Sequence, residues 1–269
     1  MADRIQLKSR EEMRVMARAG VIVEAALAAA KAASAPGVTT AEVDAAAARV
    51  IAEAGATSNF LGYHGFPAVS CISVNEEVVH GIPGDRVLAE GDVVSIDCGA
   101  IVEGWHGDSA VSFIVGEPRS KADVALVKAT ERSLWAGIAA LATAERISEV
   151  SEAVEDVADE AGLHPLEGYV GHGIGTEMHM SPDVPNYRVR GRSPRVRPGM
   201  CVAIEPMLVI GTSDSAVLSD EWTVVSLDGS RAAHWEHSIA VHEDGIWVLT
   251  ASDGGASKLA PLGVTPVAP

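Results

Sequence analysis

The stretch Ser95–Ser112, SIDCGAIVEGWHGDSAVS, places two carboxylates, Asp97 and Asp108, in apolar surroundings. Val93, Val94 and Ile96 lead into the first; Ala110, Val111 and Phe113 follow the second. Gly99, Gly104 and Gly107 punctuate the interval, which predicts a hairpin or bulged ribbon and not a helix. Aspartates pointing inward from apolar strands are costly to bury unless a cation pairs them. No Lys or Arg lies between Ser95 and Ser112, so a divalent metal is the simplest source of that charge. The competing reading of the stretch by itself is a solvated loop with two turn aspartates.

An internal repeat favours the metal. Gly91–Asp97, GDVVSID, superposes on Gly199–Glu205, GMCVAIE, at an offset of 108 residues, and the same offset sets His64-Gly65 on His172-Gly173. One residue less sets Glu42-Val43, Ala46, Val50 and Ala54-Gly55 on Glu149-Val150, Ala153, Val157 and Ala161-Gly162. Two copies indicate duplicated halves and not a solenoid. Asp97 then falls on Glu205, and Trp105–Asp108 has a looser echo in His234-Trp235-Glu236. Each half offers a pair of carboxylates, and a pseudo-twofold would bring the four together at the junction.

With 269 residues and 48% hydrophobic content, the chain is long and apolar enough for a large core. A net charge of −17 argues against general affinity for nucleic acid or anionic membrane. The N-terminal run MADRIQLKSREEMR lacks an apolar leader, and Ala17–Ala35 carries Arg18, Glu24 and Lys31, so no membrane span is expected. Cys71, Cys98 and Cys201 stand in unrelated contexts and read as reduced core thiols of a cytoplasmic protein.

Along the chain, Ser9-x-x-Glu12 opens a long Ala-rich helix, Thr39 or Thr40 a second, Ser120-x-x-Asp123 a third and Ser148 a fourth. Each helix pair precedes a set of strands. His80 sits in a turn shortly before the Asp97 strand; a lone histidine is usually a satisfied polar side chain, but this place makes it a candidate. Gly171-His172-Gly173-Ile174-Gly175 lets the backbone bend beside His172, with His179 seven residues on. That spacing is neither HExxH nor a zinc finger, and no dinucleotide fingerprint, GxSxG elbow or P-loop occurs. Arg188, Arg190, Arg192, Arg195 and Arg197 crowd one connection: a solvated loop on the plain reading, a docking patch on the sharper one. Residues 1–250 are expected to form one catalytic domain with halves of about 9–116 and 117–250, and 251–269 a flexible tail.

Together CISVNEEVVHGIPG, the Asp97/Asp108 pair, GHGIG with His179, the strand ending at Glu205 and WEHS at Glu236 resemble the type I methionine aminopeptidases. The resemblance runs from about Ser9 to Leu249. It implies an α/β (α+β) pita-bread fold, antiparallel sheet covered by helices, and metal-dependent removal of N-terminal methionine when the next residue is small. It implies two divalent ions (Co, Mn, Fe or Zn) on Asp97, Asp108, His172, Glu205 and Glu236, with Glu205 also carrying the proton. His80 and His179 are implied to contact substrate, and Tyr63, Phe66, Cys71, Met178 and Trp222 to line the methionine pocket. Phe60 stands where a cysteine is usual, Phe66 where a tyrosine is and Met178 where a phenylalanine is, so the pocket stays apolar but changes shape. Expected partners are nascent polypeptide N-termini, with weak ribosome contact, no specific nucleic acid, no membrane and a monomeric state. The ribosome contact is expected to be weak because the relatives' lysine-rich docking loop corresponds here to Ile210–Ser230, which has no Lys or Arg. The alternatives are another two-metal aminopeptidase of the same fold, a non-catalytic binding member, or a two-metal phosphoesterase.

Overall fold

The computed structural model describes residues 5–269; the first four residues of the run read as lacking a leader lie outside the described residues. Helix α1 (Arg10–Ala33) starts where the sequence signals it. The Ser9 hydroxyl caps the Glu12 N–H and the Glu12 carboxylate returns to the Ser9 N–H. The same box between Thr39 and Glu42 starts α2 (Thr40–Glu53). Helices α3 (Lys121–Leu141) and α4 (Ile147–Ala161) form the second pair. Helix α4 begins just before Ser148, the start read from sequence, because Glu149 accepts from the Arg146 N–H and makes Arg146 the cap.

The strands of the first half are β1 (Thr57–Ser58), β2 (Ser70–Val74), β3 (Glu77–Val79), β4 (Val93–Val102) and β5 (Trp105–Ile114). Those of the second are β6 (His164–Pro165), β7 (Gly171–Gly173), β8 (Met180–Val184), β9 (Cys201–Ile204), β10 (Met207–Val209), β11 (Ser215–Val217), β12 (Val224–Ser226), β13 (Ala232–His234), β14 (His237–His242) and β15 (Gly245–Val248). All pair antiparallel. One sheet has β4 flanked by β1, β2 and β5; another runs β15-β14-β9-β7-β8. Two small sheets, β13-β10-β6 and β11-β12-β3, fill the junction. Strand β3 thus completes a sheet with strands of the other half, so the halves interlock.

Each helix pair covers its own sheet. Val23, Leu27 and Val43 pack with Ile72, Val94 and Ile96 on one side. Leu134, Ile138 and Val150 pack with Val202, Ile204 and Ile239 on the other. Burying each such side chain contributes about 1.5–3 kcal/mol before chain entropy is counted. Helix α1 approaches closely at Gly20, where a Cβ would lie 2.0 Å from the Leu249 carbonyl oxygen, so only glycine fits.

The C-terminal residues depart from expectation. Instead of a flexible tail they form a short helix, α5 (Ala256–Leu259), with Leu259 in the core. The Val267 N–H donates to Ile246 at 2.9 Å, and the Pro269 carbonyl accepts from Arg14 Nε at 2.8 Å. The small, Gly-rich composition suggested mobility, but the few apolar residues within it are placed to dock.

Candidate metal centre

The β4–β5 hairpin pairs Asp97 with Ala110 and Gly99 with Asp108. The two aspartates are therefore diagonal neighbours on one face, as alternation requires. The second half meets this face through short bonds. Ala110 and Glu236 exchange both backbone bonds, the Ser109 hydroxyl donates to the Glu236 carbonyl at 2.6 Å, and Ser238 Oγ both accepts from and donates to the Asp108 backbone. Glu236 is thus set against Asp108. Glu205 follows β9, its backbone carbonyl accepting from Asn186 Nδ2 at 2.9 Å. His172 stands in β7 with Nδ1–H donating to the Gly173 carbonyl at 3.0 Å. That bond leaves Nε2 as the lone-pair nitrogen, 3.5 Å from Glu205 Oε1.

These residues line one cavity of about 270 Å³, shared by Asp97, Asp108, His172, Glu205 and Glu236 with His80, His179, Tyr63, Phe66, Cys71, Met178 and Trp222. Donor atoms of Asp108, His172 and Glu236 lie within 4.8 Å of one another, which suits a single ion, and Asp97 and Glu205 adjoin them. Among the described residues no lysine or arginine lines the cavity. Burial, and then repulsion from neighbouring carboxylates (Asp97 and Glu205 on Asp108; Asp108, Glu205 and Asp97 on Glu236), push the carboxyls of Asp108 and Glu236 well above the carboxylate range. Burial raises Asp97 to about 7 and Glu205 to about 8. Burial and the neighbouring His179 lower His172 to about 3, so it is a neutral donor. One oxygen each of Asp97, Asp108 and Glu236 is buried with no hydrogen-bond partner. Clustered carboxylates that lack a countercharge and leave buried oxygens unpaired fit divalent cations and little else.

The remaining groups frame this centre. The Tyr63 hydroxyl bonds His179 Nδ1 at 2.8 Å, and the His179 ring stands edge-on to His172 at 4.3 Å. His80 sits at φ 60°, a left-handed conformation rare outside glycine, with its ring against Tyr169 and Trp222. Burial lowers His80 to about 4. Phe60, Phe66, Cys71 and Met178 form a small apolar cluster, joined by Tyr63 and Trp222. Two residues were not singled out from sequence. His64 lines the cavity beside Tyr63, and its alignment with His172 in the repeat was the available signal. His234 lies buried beside Glu205; its place in the looser echo, two residues before Glu236, was the available signal.

Residues 14–243 match metallopeptidase family M24. The chain is 52% identical over 250 residues to methionine aminopeptidase 1 of Mycobacterium tuberculosis, covering 90% of this chain and 94% of that protein. It is 43% identical over 243 residues to methionine aminopeptidase 1 of Bacillus subtilis, covering 90% and 98%. The crystal structure of the Thermotoga maritima methionine aminopeptidase superposes with a TM-score of 0.90 at 38% identity, covering 93% of this chain and all of that one.

Proposed function

The chain belongs to metallopeptidase family M24, among the type I methionine aminopeptidases, and from that premise we propose that its cavity hydrolyses the peptide bond after an N-terminal methionine when the next residue is small. The observation carrying this reading is the meeting of four carboxylates and His172 with an apolar pocket in one cavity. Phe66 and Met178 bring bulk to a space of about 270 Å³, which favours a methionine side chain with little room beyond it. A peptide panel tests the claim: Met-Ala, Met-Gly and Met-Ser peptides are cut, Met-Lys and Met-Phe peptides are not. Comparable rates for both groups remove the size rule; no turnover of any peptide removes the aminopeptidase.

Two divalent ions suit the donor set. Asp97, Asp108, His172, Glu205 and Glu236 would hold them. An oxygen-rich site with one imidazole accepts Mn, Fe, Co or Zn. When bound, such ions supply Lewis acidity at the scissile carbonyl and a water of lowered pKa. The chain's own residues do the rest. Glu205 takes the proton from the attacking water and delivers it to the leaving amine nitrogen. With Tyr63 donating to its Nδ1, His179 carries a proton on Nε2 and donates it as a hydrogen bond to the carbonyl oxygen while negative charge grows there. His80, held neutral, contacts the scissile amide nitrogen. The enzyme acts as a cytoplasmic monomer on nascent chains.

Ribosome contact follows the charge. Ile210–Ser230 folds as the β11–β12 hairpin with Asp214, Asp220, Glu221 and Asp228 and no basic residue. Arg188 is tied to Glu155 and Asp156 on α4. Arg190, Arg192, Arg195 and Arg197 are exposed, and none has a carboxylate within 4 Å among the described residues. These four form the dense exposed basic group that phosphate contact would use. Co-sedimentation with ribosomes is expected to be weak and to vanish steeply with salt. Tight binding that survives their replacement by serine refutes this.

A further inference from the structure

His234 ends β13, only 2% exposed, and no part of the proposed reaction uses it. Its Nε2 is buried without a hydrogen-bond partner and lies 3.6 Å from Glu205 Oε2. The other oxygen of the same carboxylate, Oε1, faces His172 Nε2 at 3.5 Å. Glu205 is therefore bracketed by two imidazoles, one on each oxygen. They differ in what they offer. The His172 ring has spent its N–H on Gly173 and turns a lone pair toward the centre. A second lone pair turned on Oε2 would be repulsive, so His234 faces Glu205 with Nε2–H.

The backbone around His234 is fixed with unusual completeness. Its N–H donates to Ser112 Oγ at 2.9 Å and Ser95 Oγ at 3.2 Å, and its carbonyl accepts from Ser112 Oγ at 2.7 Å. Ser95 and Ser112 lie on β4 and β5, the hairpin that carries Asp97 and Asp108. His234 is thus indexed to the first-half carboxylates and reaches across to a second-half one. Closing its gap to Glu205 by about half an ångström, a small side-chain rotation, makes a hydrogen bond.

We propose that His234 is a positioning residue for Glu205: Nε2–H holds one carboxylate oxygen so that the other keeps a fixed direction toward the metal and the transferred proton. This rests on the ligand role given to Glu205 above. Partners behind a ligand typically contribute 10–100-fold, about that range, in metal affinity or activity. Glutamine can place its Nε2–H near the imidazole position; leucine fills similar space and donates nothing.

The test compares His234→Leu and His234→Gln with the wild type. Mn²⁺ affinity is read by calorimetry on metal-stripped protein, and kcat and KM on Met-Ala-Ser. Expected for His234→Leu is a loss of about 10–100-fold in Mn²⁺ affinity and in kcat, with KM within about twofold. His234→Gln recovers both to within about threefold. The inference is overturned when His234→Leu matches the wild type, or when His234→Gln is as impaired as leucine, since packing then explains the loss. If leucine does not fold, glutamine with wild-type Mn²⁺ affinity and kcat supports the donor, and glutamine with both impaired overturns it. The calorimetric result stands whatever the wild type does to the peptide, so a failure of the aminopeptidase reading is distinguishable.

Discussion

Exhaustive chelation is expected to abolish turnover of Met-Ala-Ser, and the metal-free protein is then expected to lose stability as the pH rises from about 6.5 to about 8. The first half follows from a cavity with no lysine or arginine among the described residues to polarise a carbonyl or acidify a water. The second follows from linkage. Asp97 and Glu205 titrate at about 7 and about 8 in the metal-free fold, and Asp108 and Glu236 are raised well above their usual range. In the unfolded chain all four ionise near pH 4, so the native state binds more protons over the interval. Stability therefore falls as pH rises through it. The buried histidines act with the opposite sign: His172 at about 3 and His237 at about 4 favour the fold as pH climbs to about 6.5, and add nothing more above it. The carboxylate effect is therefore cleanest on the alkaline side. Bound cations require the ionised carboxylates, so the gain in melting temperature on adding Mn²⁺ grows from pH 6.5 to pH 8. Full turnover in chelated protein, or a gain independent of pH, contradicts the carboxylate centre.

His179→Ala is expected to lower kcat on Met-Ala-Ser by about 10²–10³ while leaving Mn²⁺ affinity near the wild-type value, because losing one donor aimed at a developing oxyanion costs that much. His179 is exposed at the cavity, so its removal leaves no void in the core. Among the described residues its hydrogen-bond partner is the Tyr63 hydroxyl. Steady-state kinetics beside calorimetry separates the two quantities. Unchanged turnover takes away the role given to this histidine; a collapse of metal affinity reassigns it to the ion site.

Much of this was legible along the chain because the signals were local. The capping boxes at Ser9 and Thr39 fix helix starts through residues three apart, and the apolar flanks and intervening glycines of Asp97 and Asp108 mark both as strand positions of one hairpin. The repeat supplied the one long-range signal, aligning Asp97 with Glu205. What stayed hidden is held by distant partners. Strands β6 and β10–β13 have only two or three residues, too short for any period. His234 acquires meaning from Ser95, Ser112 and Glu205, none of them near it in sequence. The final segment reads as mobile by composition, and is docked by Leu259 packing into the core with Leu134 and Trp135 and by the Val267 N–H on Ile246.

The stitching of Ser109 to Glu236 and of Ser238 to Asp108 spans 127 and 130 residues. Closing loops of that length is slow relative to forming a helix pair or a hairpin, so these bonds belong to the last stage of acquiring the fold. A half-folded chain can own the Asp97–Asp108 hairpin and still lack His172, Glu205 and Glu236. The metal centre would then be a timer as well as a site: in refolding, metal affinity should emerge only in the slowest phase. Partly assembled chains would not draw scarce ions away from finished enzyme.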